Sequence, residues 1–135
     1  MAILQTNVAT GRETYPVSDA AGDVVSKATT YTFAVAATNG DIVEMVILPA
    51  RHVITGLRYV ETGAVTEGNI GIMAGTVGDT VAANRAIATN LITTGRDNDA
   101  AFAVTPVEYD RAIGVLVTAA AQGASITLQI QYAQG

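Results

Sequence analysis

The sequence predicts a single all-β domain, a β-sandwich of the jelly-roll type, and three observations support this. First, 135 residues are enough for one domain to bury a core without help from metals or disulfides. Second, half of the residues are hydrophobic but only 5% are aromatic. Ala, Val and Thr dominate, and small or β-branched residues suit thin sheets better than long helices. Third, short apolar runs alternate with turn residues, and no segment is long enough for the helix of a βαβ unit.

The first 28 residues differ from the rest of the chain. Residues 1–28 are rich in Thr, Asp, Gly and Ala, contain Pro16, and place their apolar residues with a period of neither 2 nor 3.6. This composition predicts an extended N-terminal arm that is partly disordered when the protein is free. An ordinary frayed terminus is the alternative. The sandwich domain is then expected over residues 29–135.

The strand signals begin directly after this arm. Tyr31, Phe33 and Val35 alternate with Thr and Ala, which predicts a strand with one apolar face. Asn39-Gly40 follows, and this dipeptide favours a two-residue hairpin turn. The run Ile42–Leu48 is almost continuously apolar, which is typical of a strand buried on both faces. Pro49 is expected to end it, because proline cannot donate to a sheet ladder.

The remaining segments complete a set of about eight short strands. In order, we predict a strand at 53–61 with a bulge at Gly56, a loop at 62–68, a strand at 69–75, an irregular stretch at 76–90 with a helical turn at 82–87, a strand edge at 91–94, a strand at 111–119 and a last strand at 126–132. The last strand has the clearest alternation of apolar and polar residues. The predicted core consists of Phe33, Val35, Ile42, Val46, Leu48, Val115, Val117, Leu128 and Ile130.

Charge and composition exclude several classes of function. The net charge is −5, Lys27 is the only lysine, and the arginines are scattered, which argues against binding to a nucleic-acid backbone. The absence of cysteine excludes disulfides and zinc–thiolate sites, and is consistent with synthesis in a reducing cytoplasm. The N-terminal sequence lacks the features of a signal peptide, and the run Ile42–Leu48 is too short to span a membrane.

The residues that could carry chemistry do not form a recognisable site. His52 is the only histidine and follows a proline turn without a nucleophile-elbow motif, so we interpret it as a turn residue beside a strand. The segment Asp97–Asp99 has the acidic start of a calcium loop but lacks the glycine that such a loop needs. Gly71, Gly75 and Gly78 are not followed by the Lys-Ser/Thr of a phosphate loop. The sequence therefore predicts no enzyme, no metal and no cofactor.

Several strand motifs resemble those of one known family. The stretch Asn39–Ala50 runs into Val53–Leu57, and later come the glycine-containing strand Asn69–Met73 and the segment Asp110–Val115. In this order they resemble the head-decoration (cement) proteins of tailed bacteriophages, over roughly residues 29–133. Arg51, His52 and Arg58 stand where that family often has a negative residue, so no charged contact is carried over there.

The resemblance implies a virion structural protein that binds the outer surface of the phage capsid and stabilises it. It also implies a homo-oligomer, a trimer at three-fold positions, and a terminal arm that contacts the major capsid protein. In the arm of this chain, Ile3, Val8, Tyr15 and Val17 are the apolar candidates for that contact, and Arg12 is the candidate partner of a capsid carboxylate. The competing hypothesis is a receptor- or carbohydrate-binding β-module of a tail fibre or tip, for which Tyr59 and Tyr109 are thin support.

Overall fold

The computed structural model describes residues 3–6, 24–74, 87–92 and 107–134, and these ranges contain eight β-strands and no helix. The strands are β1 (Ile3–Gln5), β2 (Val25–Thr32), β3 (Ala37–Leu48), β4 (His52–Thr62), β5 (Val65–Met73), β6 (Ile87–Ile92), β7 (Arg111–Ala120) and β8 (Ser125–Gln134). The all-β single domain predicted from composition and periodicity is confirmed.

The strands form two sheets that pack face to face. The first has five strands in the order β1-β3-β7-β5-β6, and the second has three in the order β2-β8-β4. All pairings are antiparallel except that of β1, which joins the edge of β3 in parallel. A jelly roll has eight strands in two Greek keys; the described strands divide five to three, and that topology stays a prediction.

Three successive short connections carry the chain from one sheet to the other. Strand β2 belongs to the three-stranded sheet, β3 to the five-stranded sheet, β4 to the three-stranded sheet and β5 to the five-stranded sheet again. The link from β4 to β5 is only two residues long, and its Gly63 has a φ of 89°. A side chain is strained at such a positive φ, which is why glycine suits this tight crossing.

The core lies between the two sheets. Inward-facing residues of β3, β5 and β7 meet the alternating apolar residues of β8 in one continuous cluster. The predicted residues Phe33, Val46, Leu48, Val115, Val117, Leu128 and Ile130 belong to this cluster and are at most 1% exposed. Ile42 is also buried, as predicted, at 3% exposed, but it lies in a separate cluster. Val35 is the exception at 77% exposed, because β2 ends at Thr32 and Val35 lies in the connection that crosses to β3. Its assignment to the core was wrong.

The outer face of the five-stranded sheet is also buried at its centre. Ile42, Met73 and Ala112 form a second, smaller cluster there, with Ile87 and Leu116 packed against it. Gly114 lies on the same face, and a Cβ at this position would come within 2.7 Å of the Met73 sulfur. The run Ile42–Leu48 is therefore buried on both faces, as its continuous apolar sequence predicts.

Two of the predicted turns lie within strands. Asn39-Gly40 is not a hairpin, because it lies inside β3 at a register irregularity between Thr38 and Asp41. The loop predicted at 62–68 is also wrong: only Gly63 and Ala64 lie between β4 and β5. The bulge at Gly56 is confirmed by a register shift between Ile54 and Gly56. The predicted helical turn lies outside the described residues up to its last position, Ile87, where β6 begins.

The segment predicted as an arm contains two pieces of sheet. Strand β1 pairs Ile3 with Ile42, and β2 begins at Val25, four residues before the expected start of the domain. Leu4 packs against the main core, and the Thr6 hydroxyl donates a hydrogen bond of 2.5 Å to the Met45 carbonyl. The arm prediction therefore now concerns the stretch between these two strands.

Candidate interaction surfaces

The outer face of the three-stranded sheet is mostly polar and almost uncharged. The register places Ser26, Gln131 and Gly56 in one row, Ala28, Gln129 and Arg58 in the next, Thr30, Thr127 and Val60 in a third, and Thr32, Ser125 and Thr62 in the last. Arg58 is the single charged residue of these four rows. The hydroxyls of Thr30 and Thr127 lie 2.8 Å apart and share a hydrogen bond across the strands. We refer to these twelve residues as the polar face.

A shallow depression of about 420 Å³ opens on the polar face. It is lined by Gly56, Leu57, Arg58, Gln129 and Gln131. Gly56 has a local reason: a Cβ there would lie 2.7 Å from the Gln131 side-chain oxygen, so glycine lets that amide lie across the bulge. Amides and one guanidinium can donate and accept hydrogen bonds. The depression is therefore a polar contact surface rather than an apolar ligand pocket.

Two hydrogen bonds connect the turn between β3 and β4 to the segment before β7. The backbone N–H of Ala50 donates to a carboxylate oxygen of Asp110 at 2.8 Å, and the N–H of Arg51 donates to the Val107 carbonyl at 2.7 Å. Arg51 has a φ of 63°, a strained value for a side chain other than glycine. These two hydrogen bonds hold the turn in that conformation, and Arg51 and Glu108 stand 4.0 Å apart on the exposed side.

His52 is a structural residue of this turn. It is 2% exposed, its Nδ1 lies 2.8 Å from the Ala50 carbonyl, and its ring makes an edge contact with Tyr132 at 5.6 Å between ring centroids. This agrees with its interpretation as a turn residue at the start of a strand. Within the described ranges, no three Asp, Glu or His side chains are grouped so that they could hold a metal ion.

Arg111, like Glu44 in β3, is a charged residue that the sandwich buries. It is the first residue of β7, where strand alternation puts it on the same side as Ile113, and it pairs with the fully buried Leu48. It is only 8% exposed, and its Nε and Nη2 atoms are buried without a hydrogen-bond partner among the described ranges. Desolvation lowers the pKa of Arg111 from its ordinary value, and the Coulombic interaction with Tyr109 opposes this in part. Sequence reasoning did not single out this residue.

The arm residues predicted as the capsid contact are only partly located. Ile3 is placed by its backbone in β1, while Val8, Arg12, Tyr15 and Val17 lie outside the described residues. The calcium-like segment Asp97–Asp99 lies outside them as well. Of the two tyrosines weighed for carbohydrate binding, Tyr59 is buried and donates a hydrogen bond to Glu61, and Tyr109 is 44% exposed. No helix in the part of the chain that the structure describes is long and apolar enough to cross a membrane.

These features define an all-β domain of two packed sheets with a polar outer face and an exposed turn that other proteins could contact. No protein-family model matches the chain, and no curated protein matches it. A solved structure does match it, and its title is "Capsid of Ralstonia phage GP4". The two chains superpose with a TM-score of 0.86 and share 30% of their residues, over 99% of each chain.

At this identity over nearly the whole of both chains, the protein belongs to the same family as that capsid chain: it is a phage capsid-related protein. The coverage is equally high in both directions, so the matched chain is also a domain of this size without a large addition. Family membership supports a structural role in the virion.

Proposed function

We propose that this protein decorates the outer surface of a phage head and stabilises the shell. The observation that carries the proposal is the match, over 99% of both chains, to a chain of the GP4 capsid. The sequence motifs support the same function independently, since they resemble those of head-decoration proteins. The partner in this proposal is the major capsid protein, and the location is the outside of the virion.

The architecture is suited to a decorating role. A compact sandwich with a core closed between its two sheets can sit on a shell without depending on a partner for its own folding. The edge strands of the three-stranded sheet carry features that discourage uncontrolled strand pairing: β2 contains Lys27, and β4 contains the bulge before Gly56. Such edges favour defined contacts over open-ended aggregation. The net charge of −5 supports solubility before assembly.

The proposal includes a ring-shaped homo-oligomer, with the number three taken from the resemblance alone. Head-to-tail contacts that close on themselves give cyclic symmetry. Density for a decorated head would test this directly: three copies around a three-fold position are expected, and isolated monomers away from any rotation axis would refute the trimer.

The attachment is proposed to involve the stretch between β1 and β2. Ordering an extended segment costs roughly 1–2 kcal/mol per residue in backbone entropy, so it needs a partner that returns this free energy. Val8, Arg12, Tyr15 and Val17 are the candidate contacts. Deleting all of residues 1–28 would be a poor test, because it would also remove β1 and half of β2. A variant with these four residues replaced by Ser keeps both strands.

The main experiment is a binding assay on heads that lack the protein. Purified protein is mixed with undecorated heads and with isolated tails, and bound protein is measured by sedimentation and located by cryo-electron microscopy. We expect saturable binding to the head surface and a higher temperature of head disruption. Binding to tail fibres or tips instead would favour the receptor-binding hypothesis. For the four-Ser variant, we expect unchanged thermal unfolding and reduced occupancy; full occupancy would show that the sandwich alone makes the contact.

A further inference from the structure

We propose that Arg111 is a recognition site for a carboxylate, supplied by the shell protein beneath when this domain docks on the head. This inference names a contact residue for the proposed function and depends on that function. The geometry that points to it is an arginine residue that is 8% exposed and whose Nε and Nη2 atoms are buried without a hydrogen-bond partner among the residues that the structure describes. No contact among the described residues supplies these two atoms with an acceptor.

An arginine cannot escape this situation by losing its proton. A buried lysine can become neutral, but arginine stays charged at any pH at which a protein is folded. A buried cation without a counter-charge destabilises the domain, so the favourable resolution is an anion that arrives from outside. Carboxylates match the planar fork of the guanidinium with two parallel hydrogen bonds. Because Nε and Nη2 of Arg111 have almost no exposed surface in the free domain, docking must also move the atoms that cover them.

The acidic residues next to Arg111 are engaged elsewhere. The side chain of Asp110 accepts a hydrogen bond of 2.8 Å from the backbone N–H of Ala50. Glu108 is highly exposed and stands beside Arg51. The Asp110 carboxylate thus holds the turn, and in the part of the chain that the structure describes Nε and Nη2 of Arg111 have no hydrogen-bond partner.

The position of Arg111 suits a contact with another chain. It lies at the end of the sandwich where β3 ends, β4 begins and β7 starts, and Tyr109, two residues before it, is 44% exposed. Tyrosine and arginine are the residue types that most often dominate the binding energy of protein interfaces. The exposed Tyr109 and the buried Arg111 could therefore together bind an acidic side chain of another protein.

The test compares two charge-removing variants on undecorated heads. Arg111→Met keeps the volume and removes the charge, and Arg58→Met removes an equal charge from the polar face. We expect Arg111→Met to unfold at the same temperature as the wild type or higher, and to bind heads about 30-fold more weakly or worse. Arg111→Lys keeps the charge but lacks the planar guanidinium, so its affinity for heads should lie between those of the wild type and Arg111→Met. Arg58→Met should bind heads nearly as well as the wild type.

The outcomes separate this inference from the proposed function. If the wild type does not bind heads at all, the proposed function fails first. If the wild type and Arg111→Met bind equally well, the inference alone is overturned and Arg111 is a structural residue. Light scattering of the free proteins provides a second arm, because loss of self-association in Arg111→Met would assign the carboxylate to a second copy and overturn the shell as its source. The third arm measures thermal unfolding in sodium acetate. If acetate raises the unfolding temperature of the wild type but not of Arg111→Met, and the two proteins bind heads equally well, the site binds small anions and the shell carboxylate is overturned.

Discussion

The two sheets of the sandwich differ in how much of their outer faces is exposed to solvent. At the centre of the five-stranded sheet, β3 and β7 are buried on both faces over most of their length. In the three-stranded sheet, β8 alternates between buried apolar residues and the more exposed polar residues of the polar face. The same backbone geometry therefore carries two sequence patterns, and the difference is set by whether anything covers the outer face.

A glycine in each sheet shows the same difference at the level of single atoms. A Cβ on Gly114 would meet the Met73 sulfur at 2.7 Å and Ile42 Cγ2 at 2.9 Å, both in the packed outer cluster of the five-stranded sheet. A Cβ on Gly56 would meet only the end of the Gln131 side chain at 2.7 Å. The first contact has no room to relax, whereas the second can be relieved by rotating an exposed amide.

The largest expected effect is in the shared core, where both sheets contribute. Leu128→Ala removes a fully buried side chain of β8 and should lower the free energy of unfolding by about 2–5 kcal/mol. Its neighbour Thr127 lies on the polar face, so Thr127→Ala should cost less than about 1 kcal/mol. Urea unfolding of both variants measures the contrast. Similar losses of unfolding free energy in the two variants would contradict the division of β8 into a buried face and a solvent-exposed face.

The glycine pair gives the next largest effect. Gly114→Ala should destabilise the domain by about 1–3 kcal/mol, because the added methyl overpacks the outer cluster. Gly56→Ala should cost less than about 1 kcal/mol, because Gln131 can move aside into solvent. Thermal and urea unfolding of the two proteins provide the comparison. If Gly56→Ala proved the more damaging of the two, the polar face would be tighter than its exposure suggests.

A smaller effect is expected where β1 joins the five-stranded sheet. Thr6→Val removes the buried hydrogen bond to the Met45 carbonyl while keeping the side-chain volume. We expect a loss of about 0.5–1.5 kcal/mol. Thr6→Ser is the matched control, since it retains the hydroxyl. Hydrogen exchange of the β3 amides should report the same change locally; no change in either measurement would show that β1 contributes little to this edge.

The smallest effect is expected in the link between the sheets. Val35 is 77% exposed, so Val35→Ser should change the free energy of unfolding by no more than about 0.5 kcal/mol. The neighbouring Phe33→Ala, by contrast, removes a side chain that is 1% exposed and should cost about 3–5 kcal/mol. A large loss in Val35→Ser would return this residue to the core where its alternation with Phe33 first placed it.

The candidate sites were less accessible to sequence reasoning than the fold. Arg111 follows Asp110 in an ordinary strand, and only the structure shows that the guanidinium is buried without a partner while the carboxylate holds the turn of Ala50. The polar face could have been found from the alternation of β8, which places Gln129 and Gln131 on its outer side. The attachment residues of the arm rest on composition and resemblance, and they remain predictions.

The sequence by itself determined the strands that are long and strongly patterned. Two patterns predicted the burial of their strands correctly: the alternation of Ile126, Leu128, Ile130 and Tyr132, and the apolar run Ile42–Leu48. The first predicts a strand with one buried face and the second a strand buried on both faces, because burial restricts a position to apolar side chains. Only the tertiary structure decided how the strands pair. Asn39-Gly40 has the chemistry of a hairpin, yet it lies within β3, and β2 pairs instead with β8 about a hundred residues further on. Turn residues report local backbone preference, whereas the choice of partner strand depends on which arrangement closes the whole core.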